Sequence, residues 1–469
     1  MRRRVAPFAS ILFIAAFAIS AHSHNSAAVP PVRQSGAPGP IEHVIMITID
    51  GMKPQTYTEP DAHTLKIPTL RELVRHGASS DGVLPVMPSV TYPSHTTMVT
   101  GVNPGTHGIV TNPAWDPLQQ NAGGYRWYEE DIRVPTLWQL AHQRGLRTAL
   151  IHWPVTVGAQ ADINVPEYWR ANILEDFKLL RALSTPGALD DVAKDSPDFA
   201  TRMTVEGPAD SALTDIATYA IDTLHPNLLL LHLAMLDEAE HQHGPFTPEA
   251  LAATEIADAQ IARVIAQAKT AGIWKSTVLV VLSDHGFASV TKVVRPGTLL
   301  HDHNLITLDD RNKVTAWKAC LISNAGSAYI YLHDKNDDAT RTALLDIFKP
   351  LAGADGSGIR RMIGYDEIVA LGGDPEAFLA IEAPEGTRFT NEYSGKFTEP
   401  STQGGTHGYF PDRPEMRASL LIYGPPIAPG KIENARLIDV APTVAHWLSL
   451  NLPKAQGQPL QISPKPPQK

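Results

Sequence analysis

Only one cysteine, Cys320, occurs in 469 residues, so no internal disulfide can form and stability must come from packing or from bound metal. Positive charge is also scarce. Thirty-nine Lys and Arg stand against 49 Asp and Glu, a formal net charge of −10. A surface that acidic argues against a nucleic-acid-binding role, which needs basic stripes. It does not exclude a small anionic substrate, because a metal site sets its own local charge. No internal repeat is evident. A long uncharged run is found at residues 5–21, directly behind Met1-Arg2-Arg3-Arg4. A basic start followed by a short apolar stretch reads as a secretory signal over residues 1–28, with small residues near its end for cleavage. The run is too short to call for a membrane span. The expected location is periplasmic or extracellular, with no span left after cleavage. Residues 29–40, rich in Pro, Gly and Ser, are expected to be a linker.

The rest of the chain, 43% hydrophobic overall, can bury a large core. Residues 43–49 (HVIMITI) are a short apolar run ending at Asp50-Gly51. Residues 146–152, 227–233 and 277–283 read as further buried strands, and 418–423 as a late one. Between them, 68–76 reads as a helix stopped by Gly77, and 135–144 as an amphipathic helix stopped by Gly145. A long helix begins with Thr247 as N-cap and Pro248 first, its apolar face being Ile256, Val264 and Ala268 with Ala257 and Ile261 alongside. A closing helix over 439–450 takes Asp439 as cap. This alternation predicts an α/β fold with a mostly parallel central sheet and helices on both faces. Two stretches break the rhythm, near 159–210 and 295–403. They are expected as insertions over the active face of one catalytic domain spanning 41–455, before a Pro-rich tail at 456–469.

In open α/β sheets, ligands bind beyond the carboxyl ends of the strands. The residues leaving these strands are of few types. Asp50 leaves the first, Asp237 and His241 follow the Leu-rich one, Asp284 and His285 leave the next, and His407 precedes the last. Asp237 and His241, four apart on a helical turn, share a face. Three carboxylates and three imidazoles divide into two sites of three protein ligands, each with open positions. Mixed N/O ligation of that kind favours two Zn2+, with Mn2+ or Fe possible. A hydroxyl, Thr91, stands just before Tyr92-Pro93 at the start of an expected helix, where free N–H donors and the helix dipole favour a phosphate group. Threonine is a poor nucleophile without a base or metal to activate it. The remaining histidines, such as His152 and His232, are assigned mostly to packing.

Ile49-Asp50-Gly51, Thr91-Tyr92-Pro93-Ser94-His95, His107-Gly108-Ile109-Val110-Thr111-Asn112, Asp237-x-x-x-His241 with Gly244-Pro245, Ser283-Asp284-His285-Gly286 and Gly405-Thr406-His407-Gly408 together carry a resemblance. The chain resembles the nucleotide pyrophosphatase/phosphodiesterase family of the alkaline phosphatase superfamily, and so implies an alkaline-phosphatase-like fold. The resemblance implies that Asp237, His241 and His407 hold one zinc, and Asp50, Asp284 and His285 the other. It further implies Thr91 as nucleophile, placed against the metals, and Asn112 as donor to a non-bridging phosphoryl oxygen. Tyr92 and Tyr168 would line the leaving-group pocket. Ser94 stands where the family usually has Asn, and Glu240 where a small residue commonly precedes the metal-binding His.

The expected reaction is hydrolysis of a small phosphodiester or nucleotide through a covalent phosphothreonine that water then releases. A phosphomonoesterase of the same superfamily would be expected to place a cation near the nucleophile, and no Arg or Lys lies between Asp81 and Arg126. A phosphonoacetate-type hydrolase would keep the same metal and threonine logic. A catalytically inactive secreted binding protein would be expected to have lost a ligand or the nucleophile, and all seven residues are present.

Overall fold

The computed structural model describes residues 41–463 except Ala122 and Glu206. The signal expected over 1–28, the linker over 29–40 and residues 464–469 of the tail lie outside the described residues. Strand β1 (His43–Ile49) is buried along its whole length. It is hydrogen-bonded in parallel to Leu228–Leu233 on one side and Thr277–Leu282 on the other, with Ile45 opposite both Leu229 and Leu279. Unbroken runs of Val, Ile and Leu suit strands covered on both faces. Side chains alternate between those faces. Ile45, Ile47 and Ile49 enter a core with Ile216, Ala217, Ile261 and Val264, whereas Val44 and Met46 enter another with Met98, Val99, Leu137 and Trp138. Each such side chain contributes about 1.5–3 kcal/mol by leaving water.

The central sheet has eight strands, in the order Gly430–Lys431, Ala78–Ser79, Leu420–Tyr423, Thr277–Leu282, β1, Leu228–Leu233, Thr148–Ile151 and Ile163–Val165. The last five of these are mutually parallel, while Leu420–Tyr423 runs antiparallel to Thr277–Leu282. Helices cover both faces, as the alternation predicts. The helix Leu137–Gln143 starts at a reciprocal cap, in which Thr136 Oγ1 accepts from Gln139 N at 3.3 Å and Gln139 Oε1 accepts from Thr136 N at 3.1 Å.

Several local expectations need correction. On Pro248–Thr270, Ile256 is 41% exposed, and the buried stripe runs through Ala257, Ile261, Val264 and Ala268. One residue is a rotation of about 100°, which carries Ile256 off that stripe. Asp439 does not cap Val440–Trp447 with its side chain. Its carboxylate instead accepts from Arg436 at 2.6 and 2.9 Å and from Gln458 N at 2.9 Å. Within 159–210, Ile163–Val165 joins the edge of the central sheet. Within 295–403 a separate antiparallel sheet forms, ordered Ala319–Ser323, Ser327–Leu332, Leu379–Glu382 and Arg361–Gly364.

The strand Ala288–Val294 links these layers. Leaving Asp284-His285, it pairs with Gly405–Thr406, with Thr406 opposite Ala288. That pairing carries His407 back across more than a hundred residues to the end of the central strands.

Candidate active site

Each expected ligand stands at the end of a central strand or is brought there by that return. Asp50 follows β1, and Gly51 after it has φ +72°, the left-handed region that glycine tolerates. A Cβ at Gly51 would lie 2.9 Å from Glu240 Oε2 and 3.0 Å from the Phe287 ring, so the turn needs glycine twice over. The Gly51 N–H donates to Asp284 Oδ1 at 3.2 Å. The helix Met235–His243 sets Asp237 and His241 on one face, with His241 Nε2 3.3 Å from Asp237 Oδ2. His407 Nε2 lies 3.7 Å from Asp237 Oδ1. His285 Nε2 lies 3.0 Å from Asp284 Oδ2 and 3.4 Å from Asp50 Oδ1. The rings of His285 and His407 stack 3.7 Å apart. All six residues therefore meet in one cluster. Asp50, Asp284 and His285 form a group whose donor atoms lie within 4.8 Å of one another, and Asp237, His285 and His407 form a second. His241 joins the second through Asp237.

The donor set fits divalent ions. Asp50 Oδ1, Asp237 Oδ1 and Asp284 Oδ2 are buried without a hydrogen-bond partner among the described residues. In each histidine the Nδ1 faces a main-chain carbonyl: Gly405 at 3.2 Å for His241, Gly286 at 3.1 Å for His285 and Ser89 at 3.3 Å for His407. An Nδ1–H given to a carbonyl leaves the Nε2 lone pair aimed at the carboxylates, the outer-shell pattern of imidazoles that bind metal. Among protein groups alone the cluster is electrostatically strained. Burial, and then Asp237 and Asp284, push the Asp50 carboxyl well above the usual range. Burial opposes it, but Asp284, Asp50 and Asp237 raise His285 to about 10. Burial, and then His285 and His241, drive His407 well below its ordinary value. Glu240 is buried, and burial and Asp237 push its carboxyl well above the usual range.

Thr91 is the first residue of the helix Thr91–Thr100, every residue of which is buried. Its Oγ1 lies 3.5 Å from His285 Nε2. The helix start is fixed by His95, whose Nδ1 is 2.9 Å from the Thr91 carbonyl and whose Nε2 is 2.9 Å from Thr48 Oγ1 on β1. Burial, and then His232, lower His95 to about 3, so this tether is uncharged. His107 joins Thr97 Oγ1 (3.1 Å) to the Ile109 N–H (3.1 Å) and so locks the loop that carries Asn112. Asn112 Oδ1 accepts from the Tyr92 N–H at 2.9 Å. With the oxygen so engaged, the amide Nδ2 is the donor that Asn112 offers the cavity it lines.

A cavity of about 1180 Å³ opens over this cluster. Tyr92 is only 1% exposed at its edge, its hydroxyl 3.1 Å from Glu167 Oε1 and its ring tilted against Tyr125. Tyr168 packs on Trp127 and lines a smaller side cavity, while Tyr125 and Trp169 present aromatic rings to the main one. Lys313 and Arg388, both far away in sequence, also line the main cavity, and Arg388 has no carboxylate within 4 Å among the described residues. The cation-free stretch between Asp81 and Arg126 therefore does not make the cavity cation-free. His232, assigned to packing from the sequence, instead sets its Nε2 3.0 Å from Asp50 Oδ2. Its neighbour His152 follows a central strand end, a signal that its apolar surroundings obscured.

A buried hydroxyl at a helix start thus faces carboxylates and imidazoles gathered from strand ends under a wide cavity. Residues 44–410 match the model of the type I phosphodiesterase / nucleotide pyrophosphatase family, and the chain belongs to that family. It is 23% identical over 228 residues to ectonucleotide pyrophosphatase/phosphodiesterase family member 1 of Homo sapiens, covering 47% of this chain and 21% of that protein. An uncharacterised pyrophosphatase/phosphodiesterase of Schizosaccharomyces pombe is 25% identical, over 58% of this chain and 48% of its own length. The chain thus spans between a fifth and a half of these relatives. The bis(5'-adenosyl)-triphosphatase of Homo sapiens is 21% identical over 94% of this chain and 83% of its own. The fold is shared with murine ectonucleotide pyrophosphatase/phosphodiesterase 5, solved as an inactive variant in complex with AMP (TM-score 0.62, 20% identity, 89% of this chain and 97% of that one). No described helix is long and apolar enough to cross a membrane.

Proposed function

We propose that this chain is a two-metal phosphodiesterase/nucleotide pyrophosphatase, exported from the cell, that hydrolyses small nucleotide or phosphodiester substrates through a phosphothreonine on Thr91. The observation that carries the reading is the Thr91 hydroxyl, 3.5 Å from His285 Nε2 at the start of a buried helix, beside three unpartnered carboxylate oxygens. Asp237, His241 and His407 would hold one ion, and Asp50, Asp284 and His285 the other, with zinc the best match to the donors. When bound, the ions would neutralise phosphoryl oxygens and lower the pKa of an oxygen nucleophile.

Thr91 Oγ1 gives up its proton to solvent and forms a bond to phosphorus while the bond to the leaving oxygen breaks on the opposite side, the leaving group taking a proton from water. At the start of Thr91–Thr100 the Tyr92 N–H is engaged by Asn112 and Pro93 has none, which leaves the Thr91 N–H to meet the phosphoryl group. Asn112, held by its contact with the Tyr92 N–H, donates from Nδ2 to a non-bridging oxygen. Tyr92 stiffens this corner through its Glu167 hydrogen bond. Tyr125 and Trp169, with Tyr168 behind them on Trp127, form an aromatic wall for a nucleobase or another flat leaving group. The AMP held by the murine relative supports a nucleotide as the substrate class. Water then attacks phosphorus, breaks the bond to Thr91 and restores the hydroxyl.

A second reading, phosphomonoester hydrolysis, is favoured by one observation, the cations Lys313 and Arg388 in the cavity wall. Catalytic efficiencies on a nitrophenyl phosphodiester, the matching monoester, a nucleoside triphosphate and phosphonoacetate decide between the readings. We expect the diester or triphosphate to lead. A strong monoester preference would overturn the assignment. Chelation should abolish activity and zinc restore it; full turnover by metal-free protein would sink the two-metal reading.

A further inference from the structure

His152, Glu167 and His232 form a third group whose donor atoms lie within 4.8 Å of one another, buried to 5%, 5% and 1% exposure. They come from the residue after Thr148–Ile151, the segment after Ile163–Val165 and the strand Leu228–Leu233, one step further along the sheet from the cluster already described. His232 Nε2 lies 3.0 Å from Asp50 Oδ2. An imidazole that donates there presents its Nδ1 lone pair to the other side. On that side stand the His152 carbonyl at 3.2 Å and Glu167 Oε2 at 3.3 Å, both also lone-pair donors. A proton on Nδ1 has one aligned acceptor, the His152 carbonyl. It leaves Glu167 Oε2 buried with no hydrogen-bond partner among the described residues. A carboxylate oxygen buried without a partner is costly to the fold. The His152 ring lies nearly parallel to that of His232, 17° apart with centroids at 5.6 Å. His152 itself takes a left-handed backbone (φ 53°), a conformation that non-glycine residues hold only where the surroundings enforce it.

We propose that His152, Glu167 and His232 bind a third divalent cation of the zinc type. Two imidazoles and one carboxylate are a mixed N/O set that suits Zn2+ or Co2+ rather than Mg2+ or Ca2+. All three residues line the same cavity as Asp50 and Thr91, which gives an ion a route in. The site is coupled on both flanks. His232 bridges it to Asp50, in the relation by which an outer-shell hydrogen bond orients a ligand. Glu167 Oε1 accepts from the Tyr92 hydroxyl at 3.1 Å, next to the nucleophile. Only this coupling rests on the two-metal reading; the donors of the third site stand by themselves.

The test is a metal count on the full chain, loaded with excess Zn2+ or Co2+, desalted and measured by plasma mass spectrometry against protein concentration. Wild type should hold three ions. His152→Ala combined with Glu167→Gln should hold two while still melting cooperatively as a folded chain, and Glu167→Gln alone should weaken retention of the third at least tenfold. A chain with Asp237→Asn and His407→Ala should still retain an ion that the further change His152→Ala removes. Equal counts in wild type and in the His152/Glu167 variant would overturn the third site. If that equal count is two, the catalytic pair stands without it. A wild-type chain that holds no ion overturns both readings, so the two failures are distinguishable.

Discussion

At the floor of the cavity, Asp50, Asp284 and His285 are between 0 and 4% exposed, and each is fixed by the end of a central strand. The wall supplied by residues 295–403 carries its charge differently, with Lys313 exposed and Arg388 half-buried without a carboxylate partner. The floor has its donors packed against one another, with three carboxylate oxygens left over. The wall has an exposed Lys313 and an Arg388 whose one side-chain hydrogen bond, from Nε to Ser401 Oγ at 3.4 Å, leaves its terminal nitrogens unpaired among the described residues. Buried, over-determined groups hold geometry to the tolerance that bond-making needs, whereas loosely held cations on a rim attract and select. On the proposed reading the floor carries the reaction and the wall the choice of substrate.

The hardest blow to the floor is Thr91→Ala. None of the six Asp and His side chains is touched, so metal content and melting temperature should stay unchanged while turnover falls by several powers of ten. Thr91→Ser should keep measurable activity, because the hydroxyl survives and only the methyl that restricts its rotamer is lost. Acid quenching during turnover should find phosphate on Thr91 and on no other hydroxyl. Near-normal turnover in Thr91→Ala would mean that water attacks directly.

Asn112 tests how far the floor extends. Asn112→Ala should lower kcat by a factor of about 100–1,000, or about 3 kcal/mol, as for loss of one donor to a charged oxygen. That change also frees the Tyr92 N–H. Asn112→Asp keeps an acceptor for that N–H but has no donor, so a loss as large as in the alanine variant assigns the effect to the phosphoryl contact. Recovery in Asn112→Asp would assign it to the Tyr92 backbone instead.

Arg388 sharpens the contrast from the wall side. Arg388→Ala should raise KM for a nucleoside triphosphate by about tenfold while leaving kcat within a factor of about two, the pattern of a contact made equally in ground and transition state. KM for a nitrophenyl diester, which lacks remote phosphates, should change little. An equal fall of kcat on both substrates would place Arg388 in the floor, and would favour the monoesterase reading.

The two regions also differ in how far they could be read from the chain. β1, Leu228–Leu233 and Thr277–Leu282 are continuous apolar runs, and each hands its acidic or imidazole residue to the same end of the sheet, so Asp50, Asp237, His241, Asp284 and His285 were legible by position. His407 was legible by motif; its approach depends on Gly405–Thr406 pairing with Ala288–Val294, a long-range register with no local signature. Lys313, Arg388, Tyr125 and Trp169 reach the cavity through loops and insertions, where neither period nor cap says which way a side chain faces. His232 was read as packing because a histidine inside LLLLHL looks like a core residue, and it is one by burial. Its contact with Asp50 follows from register with β1, where Thr48 lies opposite His232. Ile256 failed for a simpler reason, since one position on a helix is enough to turn a side chain outward.

The smallest expected effect is a control on the whole comparison. Thr136 begins Leu137–Gln143, whose Leu137 and Trp138 are fully buried against the sheet on the side of Met98 and Val99. Its side chain accepts from Gln139 N at 3.3 Å, and Gln139 returns a bond to Thr136 N at 3.1 Å. Thr136→Ala removes the first of these and leaves a helix-start N–H without its partner, at a cost of about 1 kcal/mol. The helix supports the core beside Thr91–Thr100 but supplies none of the six Asp and His side chains of the cluster. Unfolding in urea should therefore shift to a lower midpoint with an unchanged slope, while kcat, KM and metal content hold. If this variant lost turnover or metal at temperatures where it remains folded, the floor would not be fixed by its own strand ends and hydrogen bonds. It would instead depend on the packing of a neighbouring helix, and the division between a rigid floor and an adaptable wall would fail.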